Sequence, residues 1–93
     1  MANILTSVLL TQYRRDLKRS EKRGKPMEKM RQVILLLLSA EPLPARYRDH
    51  TLSGDWVGHR ECHVDPDWLL IYKVDTESLY LVRTGSHSDL FSK

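Results

Sequence analysis

One cysteine, Cys62, in a chain of 93 residues leaves no partner for an intramolecular disulfide, and a reducing compartment is its natural setting. Long apolar runs are missing too. The longest, Val33 to Leu38, falls far short of the roughly 20 residues that span a bilayer. The first residues lack the early positive charges of a secretory signal. These absences together predict a soluble, cytoplasmic protein with no membrane partner. Glycine is sparse, with four residues and no Gly-rich phosphate loop. No serine sits in a strained nucleophile turn, so a Ser-His-Asp triad is not legible. The spacing His59-x-x-x-His63 followed by His87 matches no compact zinc pattern. On a strand, residues four apart stand about 13 Å from one another. No metal and no cofactor are expected.

What is present is an ordinary globular composition, 41% apolar and 29% charged. A chain this short supports one core, so residues 1–93 are expected to form a single domain. Net charge is +3, but the first fifty residues carry eleven Lys/Arg against five Asp/Glu, whereas the remainder carries four against seven. Seven of the basic residues crowd between Arg14 and Lys25. At helical spacing Arg14, Arg15, Lys18 and Lys22 share one broad face. A solvated helix face is the plain reading of such a run; against a polyanion it supplies steering and salt-dependent affinity.

Residues 3–8 suit a short edge strand. From Leu10 the period turns helical through Tyr13 and Leu17 to Ser20. Gly24 ends that helix, and Pro26 sits at the start of the next. Met27, Met30, Val33, Ile34, Leu37 and Leu38 form the stripe of a second helix. Leu35 and Leu36 make it nearly apolar all round, which predicts the most buried element; Pro42 and Pro44 stop it. Strands follow: a short polar one over Ala45 to His50 and an alternating one from Asp55 to His63. The run Trp68 to Val74 is apolar enough to be central and buried on both faces, and Leu79 to Thr84 ends at Gly85. The tail Ser86 to Phe91 reads as one helical turn or a hook. The whole predicts α+β architecture, with two N-terminal helices on one face of an antiparallel sheet of four to five strands and the other face open.

All four histidines, His50, His59, His63 and His87, lie in the second half. Any one of them alone reads as structural or idle. His63, however, ends one strand, Asp67 begins the next across a tight turn, and His87 follows the end of the neighbouring strand. Ends of adjacent antiparallel strands meet at one edge, so these three side chains can converge, with His50 entering from the same side. Trp56, Trp68, Tyr72 and Tyr80 read as packing residues rather than base-stacking platforms.

The series Asp49-His50-x-Leu52-x-Gly54-x-Trp56, Arg60-Glu61-x-His63-Val64-x-Pro66-Asp67-Trp68 and Arg83-Thr84-Gly85-x-His87-x-x-Leu90-Phe91 resembles the YafQ branch of the RelE toxin superfamily. The likeness runs from Tyr13-Arg14-Arg15-Asp16-Leu17-Lys18 to Phe91. It implies a microbial ribonuclease-like fold and an endoribonuclease that cuts messenger RNA in the ribosomal decoding site. It also implies a cognate antitoxin, with the toxin monomeric when free and part of a higher-order complex when neutralised. Two positions depart from the family pattern: Glu61 is one methylene longer than the aspartate expected, and His59 stands where an aromatic residue is frequent.

Metal-free RNA cleavage needs a base for the 2′-hydroxyl proton, an acid for the departing 5′-oxygen and a cation or donor on the phosphoryl oxygens. The resemblance implies His50, His63, Asp67, His87 and Phe91 as the site. In that scheme His87 is the acid, Asp67 the base or the orienter of a histidine, and His50 and His63 bind phosphate and share the proton work. Arg83 stabilises the transition state, Phe91 offers a stacking face, and Glu61 is a further substrate-side residue. Arg14, Arg15, Lys18 and Lys22 are the expected docking face for ribosome or antitoxin. A non-catalytic RNA- or ribosome-binding module of the same fold is the alternative, and inhibition of another cellular target a third.

Overall fold

The computed structural model describes residues 4–91. Strands β1 (Thr6–Leu9), β2 (His50–Thr51), β3 (Arg60–Asp65), β4 (Trp68–Val74) and β5 (Ser78–Gly85) form one sheet in the order β1-β5-β4-β3-β2. Helices α1 (Thr11–Lys22) and α2 (Met27–Leu38) precede the four C-terminal strands, and the short α3 (His87–Phe91) closes the described chain. The α+β architecture expected from the sequence is present. The first residue of the expected strand 3–8 lies outside the described residues.

The sheet is mixed, not wholly antiparallel. β2, β3, β4 and β5 pair antiparallel, but β1 runs parallel to β5, with Thr6 opposite Ser78 and Leu9 opposite Leu81. A four-residue strand carries no signal of its direction. Here the helix pair carries the chain to the far edge of the sheet at β2, and three successive antiparallel pairings bring it back to β5, which then runs the same way as β1.

α1 buries Tyr13, Asp16 and Ser20 at spacings of three and four, the period of one helical face. Its end is a Schellman motif: Gly24 N–H donates to Glu21 O and Lys25 N–H to Ser20 O, with Gly24 at φ +83°. α2 begins after Pro26, where the missing proline N–H costs nothing. It is not the most buried element, since only Met30, Val33 and Leu37 are buried and Leu35 is exposed. That rank belongs to β4, whose first five residues, Trp68 to Tyr72, are all buried. A central strand is covered from both sides, whereas a helix on the outside of a sheet keeps one flank in water.

The main core joins Tyr13, Met30, Val33 and Leu37 of the helices to Cys62, Val64, Trp68, Leu70, Tyr72, Leu79 and Leu81 of the sheet. The opposite face is not fully open. Leu69 and Ile71 pack there with Leu90 of α3, and Leu52, Trp56 and Val82 close around them. Residues 45–50 do not form the expected strand. A 3-10 turn occupies Ala45–Tyr47, Arg48 adopts a left-handed conformation (φ 49°, ψ 42°), and pairing begins only at His50. The strand expected over residues 55–63 is likewise shorter, because Gly54–Trp56 is a 3-10 turn and β3 starts at Arg60.

Candidate functional site

Register places the site residues in rows across the second face. His50 pairs with Glu61, Glu61 with Ile71, and Ile71 with Arg83; one step along, His63 pairs with Leu69 and Leu69 with Gly85. Glu61 and His63, two residues apart, share a face about 7 Å apart along β3. Beyond His63 the strand bulges, with Val64 as the extra residue between the pairs His63–Leu69 and Asp65–Trp68. Val64 turns into the main core while His63 stays on the site face.

α3 brings the second histidine over this row. Ser86 and Asp89 cap its start reciprocally: Ser86 N–H donates to Asp89 Oδ2, and Asp89 N–H to Ser86 Oγ. Arg23 at the end of α1 reaches Asp89 Oδ2 at 2.7 Å, and Arg19 lies at 3.7 Å. These contacts, Arg23 first, hold the Asp89 carboxyl well below the usual carboxylate range. Gly85 is required at the approach, because a Cβ there would stand 2.8 Å from Asp89 Cβ. Two residues of the basic block, Arg19 and Arg23, therefore fasten α3. Arg14, Arg15, Lys18 and Lys22 are exposed, on the flank of α1 away from Tyr13, Asp16 and Ser20.

So held, His87 faces Asp67 and His63. Its Nδ1 lies 2.9 Å from Asp67 Oδ1, and its backbone N–H donates to the same oxygen at 3.1 Å. The hydrogen bond from the ring, then that from the backbone, depress the Asp67 pKa. An ionised carboxylate only accepts, so the proton resides on Nδ1 and Nε2 is left for chemistry. The rings of His63 and His87 are 5.8 Å apart and inclined at 64°, and Phe91 lies 6.3 Å from His87 one turn along α3. The convergence of His63, Asp67 and His87 expected from strand order is present.

His50 is anchored from both ring nitrogens. Nδ1 is 2.7 Å from Arg48 O, which as a carbonyl can only accept, and Nε2 is 3.4 Å from Glu61 Oε1. Glu61 is 4% exposed and its Oε2 has no partner among the described residues. That burial puts Glu61 behind His50, away from the open surface. Asp49, the preceding residue, accepts from Tyr72 OH at 2.5 Å and from Arg60 Nε and Nη2. It ties the irregular segment to β3 and β4, and this is what delivers His50 to the sheet.

Arg83 is drawn toward α1. Its Nε donates to Asp16 Oδ2 at 2.7 Å and its Nη2 to Oδ1, while Thr84 N–H also donates to Oδ2. β1 stops pairing at Leu9, and the Asp16 carboxylate takes over the edge of β5 from there. Nη1 of Arg83 is not used by Asp16, and about a quarter of the side chain is exposed. Asp16 was findable as the one acid in the buried stripe of α1, and Ser86-x-x-Asp89 as a capping signature. Asp49 and the Arg48 carbonyl carry no such local mark. His59 is locally engaged, edge-on to Trp56 and 3.3 Å from Val57 O. Trp68 and Tyr72 belong to the main core, Trp56 packs on the second cluster, and Tyr80 OH donates to Asp75. Cys62 is fully buried, and desolvation pushes its thiol far up, which makes it unreactive. Among the described residues no three His, Cys, Asp or Glu side chains group as a metal site, and no helix is long and apolar enough to cross a membrane.

Comparison with known proteins yields consistent matches. The family model described as the bacterial toxin of type II toxin-antitoxin system, YafQ, matches residues 5–92. The mRNA interferase toxin YafQ of Escherichia coli strain K12 is 48% identical over 81 residues, 86% of this chain and 88% of that protein. The crystal structure of YafQ from Escherichia coli strain BL21(DE3) superposes with a TM-score of 0.90 at 41% identity, over 94% of this chain and 98% of that one. The toxin in the Escherichia coli DinJ-YafQ toxin-antitoxin complex gives 0.87 at 44% identity, over 94% and 97%.

Proposed function

The chain belongs to the YafQ family of type II toxin-antitoxin toxins, and on that premise we propose that it is an endoribonuclease that cleaves messenger RNA on the ribosome without a metal. The observation that carries the chemistry is the approach of His63 and His87, with Asp67 behind His87, at one end of the sheet. An RNA phosphodiester is cut when its own 2′-oxygen attacks phosphorus. The base takes the 2′-hydroxyl proton, the P–O5′ bond breaks, and the acid gives the 5′-oxygen a proton, leaving a 2′,3′-cyclic phosphate and a 5′-hydroxyl. His87 is the acid, donating from Nε2 while Asp67 holds Nδ1–H and fixes the orientation of the ring. Asp67 is thus the orienter, not the base. His63 takes the 2′-proton, while His50, whose ring nitrogens are turned to Arg48 O and Glu61 Oε1, is held by Glu61 beside the phosphate. Arg83 can offer Nη1 to the phosphoryl oxygens while Asp16 fixes its other side. Phe91 gives a flanking base a ring to stack on.

Outside the decoding site free RNA is a poor substrate, because the histidines occupy an open sheet face and not an enclosing pocket. The exposed Arg14, Arg15, Lys18 and Lys22 dock on ribosomal RNA or on the acidic part of a cognate antitoxin. The toxin acts in the cytoplasm as a monomer and is masked in a higher-order complex.

The test is single-turnover cleavage of messenger on programmed ribosomes. His87→Ala should cut the rate on the order of 100-fold or more, with ribosome binding intact, and His59→Ala should change it far less. Equal rates for wild type and His87→Ala remove His87 from the mechanism. Ribosome binding by the wild type with no cleavage makes the protein a non-catalytic module of the same fold.

A further inference from the structure

A second feature adjoins the histidines on the other flank of β3. A cleft of about 540 Å³ runs between α2, the 3-10 turn and the end of β3, walled by Lys29, Arg46, Arg48 and His63. Its cations are arranged differently from one another. Lys29 Nζ is paired with Asp65 Oδ1 at 2.8 Å. Arg46 lies 4.7 Å over the Tyr47 ring and donates to its hydroxyl. Arg48 has no side-chain ion pair among the described residues, and its left-handed backbone sits between the Arg46 turn and His50. Cations converging on a cleft suit a ligand with repeated negative charge.

We propose that this cleft binds the phosphodiester backbone of single-stranded RNA on one side of the cleaved bond. The inference deepens the reading above and rests on it. His63 belongs to both features: one side lines the cleft, and its ring stands 5.8 Å from that of His87. A strand with one phosphate between those two histidines has its next backbone units directed along Lys29, Arg46 and Arg48. A chain of phosphates explains why the cations continue from the histidines, whereas an acidic peptide would need no such continuity. Asp65 is the discordant group, an anion in the wall that neutralises Lys29.

Two variants read the cleft. Arg46→Gln/Arg48→Asn removes two cations, and asparagine tolerates the left-handed backbone at position 48. Asp65→Asn removes the anion and releases Lys29. The full chain is titrated against a single-stranded 2′-O-methyl RNA oligonucleotide, which cannot be cleaved, at several salt concentrations. The double variant should bind about tenfold more weakly at low salt. Its slope of log affinity against log salt should fall by more than 1, since each phosphate contact on a single strand contributes about 0.7. Asp65→Asn should bind several-fold more tightly, a gain that misfolding cannot imitate. Unchanged affinity and slope in the double variant overturn the proposal, as does the lack of a gain in Asp65→Asn. Retained RNA affinity with lost antitoxin affinity in the double variant also overturns it and makes the cleft a protein-docking site. Wild-type cleavage on programmed ribosomes is scored separately: its absence, with both binding arms as expected, removes the proposed chemistry and leaves the RNA cleft standing.

Discussion

The carboxylate of Asp16, whose side chain is fully buried, accepts Arg83 Nε–H at 2.7 Å and Thr84 N–H at 3.1 Å. One residue of α1 thus closes the edge of β5 where β1 ends, and holds Arg83. Gln12 and Arg19 donate to the same group. Asp16→Ala should destabilise the protein by about 3 kcal/mol, because removing one partner strands a half-buried guanidinium and a buried N–H. Urea unfolding of Asp16→Ala, Arg83→Ala and the double variant should give strong coupling. Additive losses would show that the two do not act as a pair.

Gly85→Ala tests how α3 is seated. The new Cβ would meet Asp89 Cβ at 2.8 Å and Asp89 Oδ2 at 2.9 Å, so the capped start of α3 has to move. The expected loss is about 1–3 kcal/mol of stability, with a larger proportional loss of cleavage, since His87 rides on the same helix. Wild-type cleavage and melting temperature in Gly85→Ala would show that α3 absorbs a methyl group.

Acid should loosen α3 through Asp89. Its folded pKa is depressed below the ordinary 3.8, so its contribution is complete above that value and is lost as pH falls below it toward the folded pKa. Asp89→Ala should therefore melt below wild type at pH 7, and the gap should narrow as pH drops under about 3.8. Thermal unfolding from pH 7 to pH 2 reads this directly; a constant gap across the range contradicts it. Asp67 shares the sign, its pKa lowered first by the ring hydrogen bond of His87 and then by that from the His87 backbone.

The exposed flank of α1 should govern association. Reversing the charge of Arg14, Arg15, Lys18 and Lys22 together should weaken antitoxin or ribosome binding by at least tenfold at low salt and much less at high salt. Stability should stay near wild type, since none of the four is buried. Calorimetric titration with the antitoxin and ribosome pelleting separate the two partners. Unchanged affinity for both would remove this face from either interface.

Transition-metal chelation offers a separate check. At constant magnesium, which ribosomes need, a chelator selective for zinc and copper should leave the cleavage rate within about twofold, because histidine proton transfer alone meets the requirement for acid and base. A tenfold loss restored by added metal would overturn metal-free chemistry.

Much of this fold follows from local pattern. The stripe at Tyr13, Leu17 and Ser20, Gly24 before Pro26, and the apolar run Trp68 to Val74 state helices, their boundary and a central strand, because period and turn chemistry act over neighbouring residues. The meeting of His63, Asp67 and His87 was also legible, since antiparallel strands joined by tight turns must bring their ends together. Local pattern could not show the direction of β1, the irregular path through Arg48, or the anchoring of His50 by Asp49, Tyr72 and Glu61. Nor could it separate Arg19 and Arg23, which hold α3, from their exposed neighbours in the same basic block. All of these depend on pairs distant in sequence, such as Asp16 with Arg83 and Arg23 with Asp89. Period, turn chemistry and residue type set the elements and the chemistry available to the site. Tertiary packing decided which charges face one another, because a carboxylate or guanidinium is committed to a partner only when the fold brings the two within hydrogen-bonding distance.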